Sequence, residues 1–99
     1  MNPAAELVYF RGCPHVAAAR KALHDALTAT GFAPDWQEWD QENPRTPVRV
    51  RGYGSPTVLV GGRDVRGGSA GSEGLACRAD GPPSVDEIRR ALSGEEPSA

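Results

Sequence analysis

The chain has 99 residues, of which 38% are hydrophobic and 24% charged, and its formal net charge is −2. This length suffices for one domain that buries roughly 60–65% of its unfolded surface. Mixed acids and bases without a basic excess argue against a partner such as nucleic acid or an anionic membrane.

The first two predicted elements are a short strand and a long amphipathic helix. Residues 6–10 ("ELVYF") are typical of a strand that is covered on both faces. From Pro14 the apolar residues recur at steps of three and four, and Gly31 supplies a stop signal, so we predict a helix over 14–30. Its apolar stripe comprises Val16, Ala19, Leu23, Ala26 and Leu27.

The middle of the chain is less regular. Residues 33–41 predict a second strand, in which alternation places Trp36 and Trp39 on opposite faces. Residues 42–52 carry two prolines and three arginines, which favour a short crossover or one helical turn.

Two further strands and a closing helix complete the prediction. Residues 56–62 ("PTVLVGG") indicate a buried strand, and 75–79 ("LACRA") a further one. Between them, 63–74 begins as a turn, with room for a short strand, and continues as a Gly/Ser-rich loop. Ser84 and Glu87 have capping-box spacing at the start of a final helix.

Together these elements predict an α/β fold with the order β-α-β-(short crossover)-β-β-α. The first two strands should be parallel, joined by a right-handed crossover, and the last two antiparallel. We expect helices to flank a four-stranded mixed sheet in one domain over residues 1–94, followed by a flexible tail at 95–99.

The chain is expected to be cytoplasmic. Its apolar runs are too short to span a bilayer, and the first residues show no signal-peptide pattern. Thiols are kept reduced in that compartment, so Cys13 and Cys77 favour catalytic or metal-binding chemistry over a structural disulfide.

Cys13 lies where the first strand gives way to the helix. The first helical amides lack intrahelical acceptors, and the positive end of the dipole lies there. Helix starts of this kind lower the pKa of a cysteine from about 8.5 to roughly 3.5–7.5. Cys13 is therefore predicted to be a partly exposed nucleophile; the alternative is a small buried apolar residue without chemistry.

The order of these features resembles the thioredoxin-like superfamily. The resemblance is carried by "CP" before the first helix, "GSPTVLVGG" at a later strand and the closing helix. It implies that Cys13 is the redox nucleophile, that Pro56 is a cis-proline facing it, and that Pro14, Ser55, Pro56 and Thr57 contact substrate. The combination "FRGCP…GYGSPTVLVGGRDV…LACR…PPSVDEIRRAL" also resembles small bacterial thioredoxin-like proteins that often carry an alkylmercury-lyase label.

One departure from the family pattern concerns the resolving cysteine. The dithiol pattern is C-x-x-C, whereas "CPHV" ends in Val16. Either Cys13 acts as a monothiol or Cys77 resolves its disulfide. If 75–79 pairs antiparallel with 56–62, Cys77 comes near Pro56 and within reach of Cys13, for which the Cα atoms must lie within about 7 Å. The alternative is that Cys77 is only a packed strand residue.

Other candidate residues have weaker signals. His15 can stabilise a thiolate or relay a proton, and the pair Gly67-Gly68 resembles the glycines that hold glutathione in glutaredoxins. Two thiolates, Cys13 and Cys77, can hold a soft ion such as Hg(II) or Cu(I), with Asp80 as a proton donor. Arg11, Arg49 and Arg51 are candidates for binding a substrate carboxylate, but scattered arginines are more often solvated surface. The remaining side chains are interpreted as solvated surface or packing: His24, Trp36 and Trp39.

Three functions follow as hypotheses. The first is a thiol-dependent oxidoreductase acting on protein or small-molecule disulfides, with no bound cofactor and with glutathione or another small thiol as co-substrate. The second is a protein that binds or cleaves organomercurials through Cys13 and Cys77. The third is a binding module that keeps the fold without the chemistry.

Overall fold

The computed structural model describes residues 5–66 and 81–94. The predicted strand at 75–79, which contains Cys77, and the tail at 95–99 lie outside the described residues. The strands are β1 (Ala5–Tyr9), β2 (Gln37–Asp40), β3 (Thr57–Val60) and β4 (Arg63–Asp64). The helices are α1 (Val16–Ala29), α2 (Val48–Arg51) and α3 (Val85–Leu92).

The four strands form one mixed sheet in the order β2-β1-β3-β4. β1 and β2 are parallel, with Val8 opposite Trp39, whereas β1 and β3 are antiparallel, with Leu7 opposite Val58. β3 and β4 are also antiparallel. The predicted mixed sheet and strand directions are therefore confirmed.

The described strand beside β3 is the short one that the sequence allowed at the start of 63–74. Arg63–Asp64 pair with the edge of β3 away from β1, directly after the turn at Gly61 and Gly62. The Val65 amide extends this pairing by donating to the Val58 carbonyl at 3.0 Å. The two-residue glycine turn therefore joins β3 and β4 as a tight hairpin.

Both faces of the sheet are covered. Leu7 and Val58 point into the main core, where they meet the buried side of α1 and Ile88 of α3. Val8 and Leu59 point the other way, against Val50 of α2. This explains why "ELVYF" reads as a nearly continuous apolar run rather than an alternating one.

The helices begin where their local chemistry allows. α1 starts at Val16 with His15 as N-cap, two residues later than predicted. Pro14 has no amide hydrogen, and the first amide of the helix, that of Val16, donates to the Cys13 carbonyl at 3.4 Å. The predicted capping box of α3 is confirmed, because Ser84 and Glu87 exchange side-chain and backbone hydrogen bonds.

The short helix α2 is anchored by a carboxylate on the sheet. Glu6 accepts hydrogen bonds at 2.7 Å from both Arg49 and the Trp39 indole, and the Arg49 guanidinium lies over the Trp39 ring. Burial by itself would raise the pKa of Glu6, but the hydrogen bonds and the charge of Arg49 outweigh this and hold the pKa below its ordinary value. Arg49 is thus an anchor for α2 and not the purely solvated residue that the sequence suggested.

The carboxyl ends of β1 and β2 meet the start of β3 at one edge of the sheet. Gln41 helps to hold this region together. Its backbone amide donates to the Tyr9 carbonyl at 2.7 Å, and its side-chain amide donates to the carbonyls of Val50 and Tyr53. No helix in the described part of the chain has the length and apolar character needed to cross a membrane.

Candidate active site around Cys13

A tight turn brings Cys13 back over the edge of the sheet. The Cys13 amide donates to the Phe10 carbonyl at 3.3 Å, which closes a four-residue turn. Gly12 has a φ of +85° at the third position of this turn, a conformation that suits a type II turn and favours glycine. Cys13 consequently lies two residues ahead of the N-cap of α1.

The Cys13 sulfur faces the loop that precedes β3. Sγ lies 3.6 Å from the Ser55 carbonyl oxygen, to which the thiol donates, and the Ser55-Pro56 bond is cis. Cys13 is only 7% exposed, so it is more enclosed than the partly exposed nucleophile that we expected. The cause is the Ser55–Pro56 loop, which covers one side of the sulfur.

Ser55, Pro56 and Thr57 support this arrangement from within the protein. Ser55 is fully buried, and its hydroxyl accepts the Phe10 amide at 3.2 Å. The Thr57 hydroxyl donates to the Gly54 carbonyl at 2.7 Å, and Pro56 is also buried. Their side chains therefore hold the Cys13 loop and present almost no surface to a substrate.

Pro14 and His15 lie on the outer side of the site. Pro14 is exposed, and His15 is half-buried. His15 is the N-cap of α1, but its side chain makes no capping hydrogen bond. Its predicted role beside a thiolate stays a prediction.

A groove of about 430 Å³ opens on the other side of Cys13. It runs along the first turns of α1 and the end of β1. The described residues that line it are Tyr9, Phe10, Arg11, Gly12, Cys13, Val16, Ala17 and Arg20. The accessible surface next to the sulfur is therefore aromatic and basic.

The two arginines of the groove are held in place by acids of β2. Arg20 forms a bidentate pair with Glu38 at 2.9 Å, and the Trp36 indole donates to the same carboxylate. These hydrogen bonds from Arg20 and Trp36 outweigh burial and lower the pKa of Glu38, while the pair with Glu38 raises that of Arg20. Arg11 donates to Asp40 at 2.8 Å.

Tyr9 and Arg20 belong to the site although our sequence argument did not select them. The Arg20 guanidinium carbon lies 5.2 Å from the centre of the Tyr9 ring, over its face. The sequence did contain a signal for Arg20. In the helix predicted from residue 14, Arg20 follows Cys13 by seven residues, or about two turns, so it falls on the same side of the helix as Val16 and Ala17.

The two-sulfur arrangement involves residues beyond the described part of the chain. Cys77, Gly67, Gly68 and Asp80 all lie in the segment between residues 66 and 81. Within residues 5–66 and 81–94, no group of three or more His, Cys, Asp or Glu side chains is placed to hold a metal ion. Of the predicted site residues, the structure thus brings together Cys13, Ser55 and Pro56, with Pro14 and His15 beside them.

No family model matches the chain, and comparison with curated proteins and with solved structures finds no significant match.

Proposed function

We propose that this protein is a thiol–disulfide oxidoreductase of the thioredoxin-like type, with Cys13 as its nucleophile. The proposal rests on one observation: the Cys13 sulfur lies between the Ser55 carbonyl, at 3.6 Å, and an accessible groove. Two further features support it. The sheet order is β2-β1-β3-β4, a cysteine lies in the turn between β1 and α1, and the loop before β3 contains a cis Ser55-Pro56 bond.

The proposed reaction is disulfide exchange. The Cys13 thiolate attacks one sulfur of a small-molecule or protein disulfide, forming a Cys13–substrate disulfide. The other half of the substrate leaves as a thiolate and takes a proton from solvent, so Cys13 is oxidised and the substrate is reduced. A second thiol, from Cys77 or from a small thiol outside, then attacks the mixed disulfide and releases the Cys13 thiolate.

The surroundings of the sulfur suit a resting thiol that is exposed to substrate on one side. The bond to the Ser55 carbonyl exists only in the thiol form, because a thiolate has no hydrogen to donate. On the groove side, the charged side chains among the described lining residues are Arg11 and Arg20, and no acidic side chain is among them. A cytoplasmic setting, in which thiols are kept reduced, suits this cycle.

Mass spectrometry of the intact protein after incubation with a small symmetrical disulfide tests the proposal. We expect one adduct at Cys13 in the wild type and in Cys77→Ser, and none at residue 13 in Cys13→Ser. The rate of adduct formation should rise with pH, because the thiolate and not the thiol is the nucleophile. A Cys13 that forms no adduct, or a rate that does not change with pH, would refute the proposal.

The same experiment assigns the resolving thiol. If Cys77 resolves the mixed disulfide, the Cys13 adduct is short-lived in the wild type and accumulates in Cys77→Ser. Equal lifetimes of the adduct in both proteins would assign resolution to an outside thiol.

A further inference from the structure

The groove beside Cys13 has a direction. Cys13, in the turn before α1, and Ala17 and Arg20, within α1, all line it. From Val16, the first residue of α1, to Arg20 the helix rises by about 6 Å, and Cys13 precedes Val16. The sulfur is therefore at one end of the groove and a guanidinium at the other.

Apolar side chains contribute to the lining between these ends, namely those of Tyr9, Phe10, Val16 and Ala17. A chain of methylene groups lying against them would lose water, which favours binding by roughly 25 cal/mol per Å² of apolar surface removed from water. An aliphatic stem can therefore lie along this part of the groove.

The far end is basic and held in a fixed orientation. Glu38 binds the Nε–Nη2 edge of Arg20, whose side chain is still 44% exposed, and the ring of Tyr9 lies beneath the guanidinium. A ligand there contacts the remaining N–H groups of a guanidinium whose position is already set. Prior ordering of the side chain reduces the entropy lost when an anion binds.

We propose, on the basis of the function proposed above, that Arg20 selects disulfides whose half lying along α1 carries a carboxylate at the end remote from the attacked sulfur, where it meets the Arg20 guanidinium. The released half leaves toward solvent as a thiolate. Arg20 takes part in no bond change, so it determines specificity and is not a catalytic residue. The opposite side of Cys13 is closed by the buried residues Ser55 and Pro56, which leaves the β2 side for this part of the substrate.

A matched pair of symmetrical disulfides tests this inference: that of mercaptohexanoate and that of mercaptohexanol, which differ only in the terminal group. The quantity measured is the rate constant of Cys13 adduct formation with each, and the result is their ratio. For Arg20→Gln we expect the acid-to-alcohol ratio to fall by about three- to fivefold, as for the loss of one exposed ion pair. Arg20→Lys should retain most of the ratio, and Arg90→Gln, on exposed α3 surface, should leave it unchanged.

A salt series sharpens the test. In the wild type the ratio should fall with increasing ionic strength, because exposed charges are screened. The rate with mercaptohexanol disulfide serves as the internal check that each variant keeps an intact Cys13 site.

The two proposals fail in different ways. If Cys13 reacts with both disulfides but Arg20→Gln leaves the ratio unchanged, the specificity inference is overturned and the oxidoreductase proposal stands. If Cys13 reacts with neither disulfide in the wild type, both are overturned.

Discussion

The hydroxyl of Ser55 offers a direct test of how the Cys13 loop is held. In Ser55→Ala the Phe10 amide loses its acceptor, which lies 3.2 Å away in a fully buried residue. Leaving a buried donor without a partner costs about 1–3 kcal/mol, and we expect about 1–2 here because the bond is only partly buried. The backbone carbonyl that accepts from Cys13 is kept, so the change isolates the hydroxyl.

Two measurements follow from this variant. The midpoint of urea unfolding should fall by roughly 1 M, since the denaturant dependence of a small domain is about 1–3 kcal/mol per M. Phe10 also accepts from the Cys13 amide, so the turn should open more easily. If alkylation of Cys13 requires this opening, lowering the free energy of opening by about 1 kcal/mol raises the alkylation rate about fivefold.

Ser84→Ala is the matched control. It removes the N-cap of α3, where the Ser84 hydroxyl accepts the Glu87 amide at 3.1 Å, and such a loss costs about 1 kcal/mol. The two variants should thus have similar stabilities, but only Ser55→Ala should speed the alkylation of Cys13. An equal change in alkylation rate in both would show that global stability, and not the Ser55 hydroxyl, controls access to the sulfur.

Two further predictions concern stability. Leu23 is fully buried in the main core, so Leu23→Ala should lower the unfolding free energy by about 2–4 kcal/mol in urea titrations, whereas Val48→Ala, at an 83% exposed position, should change it by less than about 0.5. The pKa of Glu6 is held below its ordinary value, so Glu6→Gln should cost roughly 1 kcal/mol at neutral pH. A lowered carboxyl pKa stabilises the fold only when the group is ionised. The difference in unfolding free energy between the wild type and Glu6→Gln should therefore persist above about pH 4.3 and disappear as the pH falls through the pKa of Glu6 in the folded protein. A difference that stays constant down to pH 2 would contradict the assignment.

Local patterns were sufficient for most of the secondary structure. The apolar stripe of α1 is recognisable without any tertiary information because helical periodicity lies in neighbouring residues. The same holds for the capping box of α3, whose two partners are three residues apart. The start of α1 was predicted two residues early, since Pro14 is compatible both with a first helical turn and with the turn that the Val16 amide closes on the Cys13 carbonyl.

The candidate site was predicted only in part. Cys13 and the Ser55-Pro56 pair were selected from the sequence, but the closeness of the sulfur to the Ser55 carbonyl depends on the pairing of β1 with β3 across more than forty residues. The groove toward Arg20 was missed because Arg20 was interpreted only as part of the polar face of a helix. Its role depends on Glu38, which the parallel pairing of β2 with β1 brings beside α1.

By itself, the sequence determined that the chain forms an α/β domain, roughly where its main helices lie, and that a cysteine stands between the first strand and the first helix. These follow from periodicity and capping, which act over a few residues. The tertiary structure alone decided that β4 is Arg63–Asp64, that Glu6 and Arg49 pair, and that the sulfur faces a carbonyl on one side and a basic groove on the other. The physical reason is that strand register sets which distant groups meet, and many registers are compatible with the same local pattern.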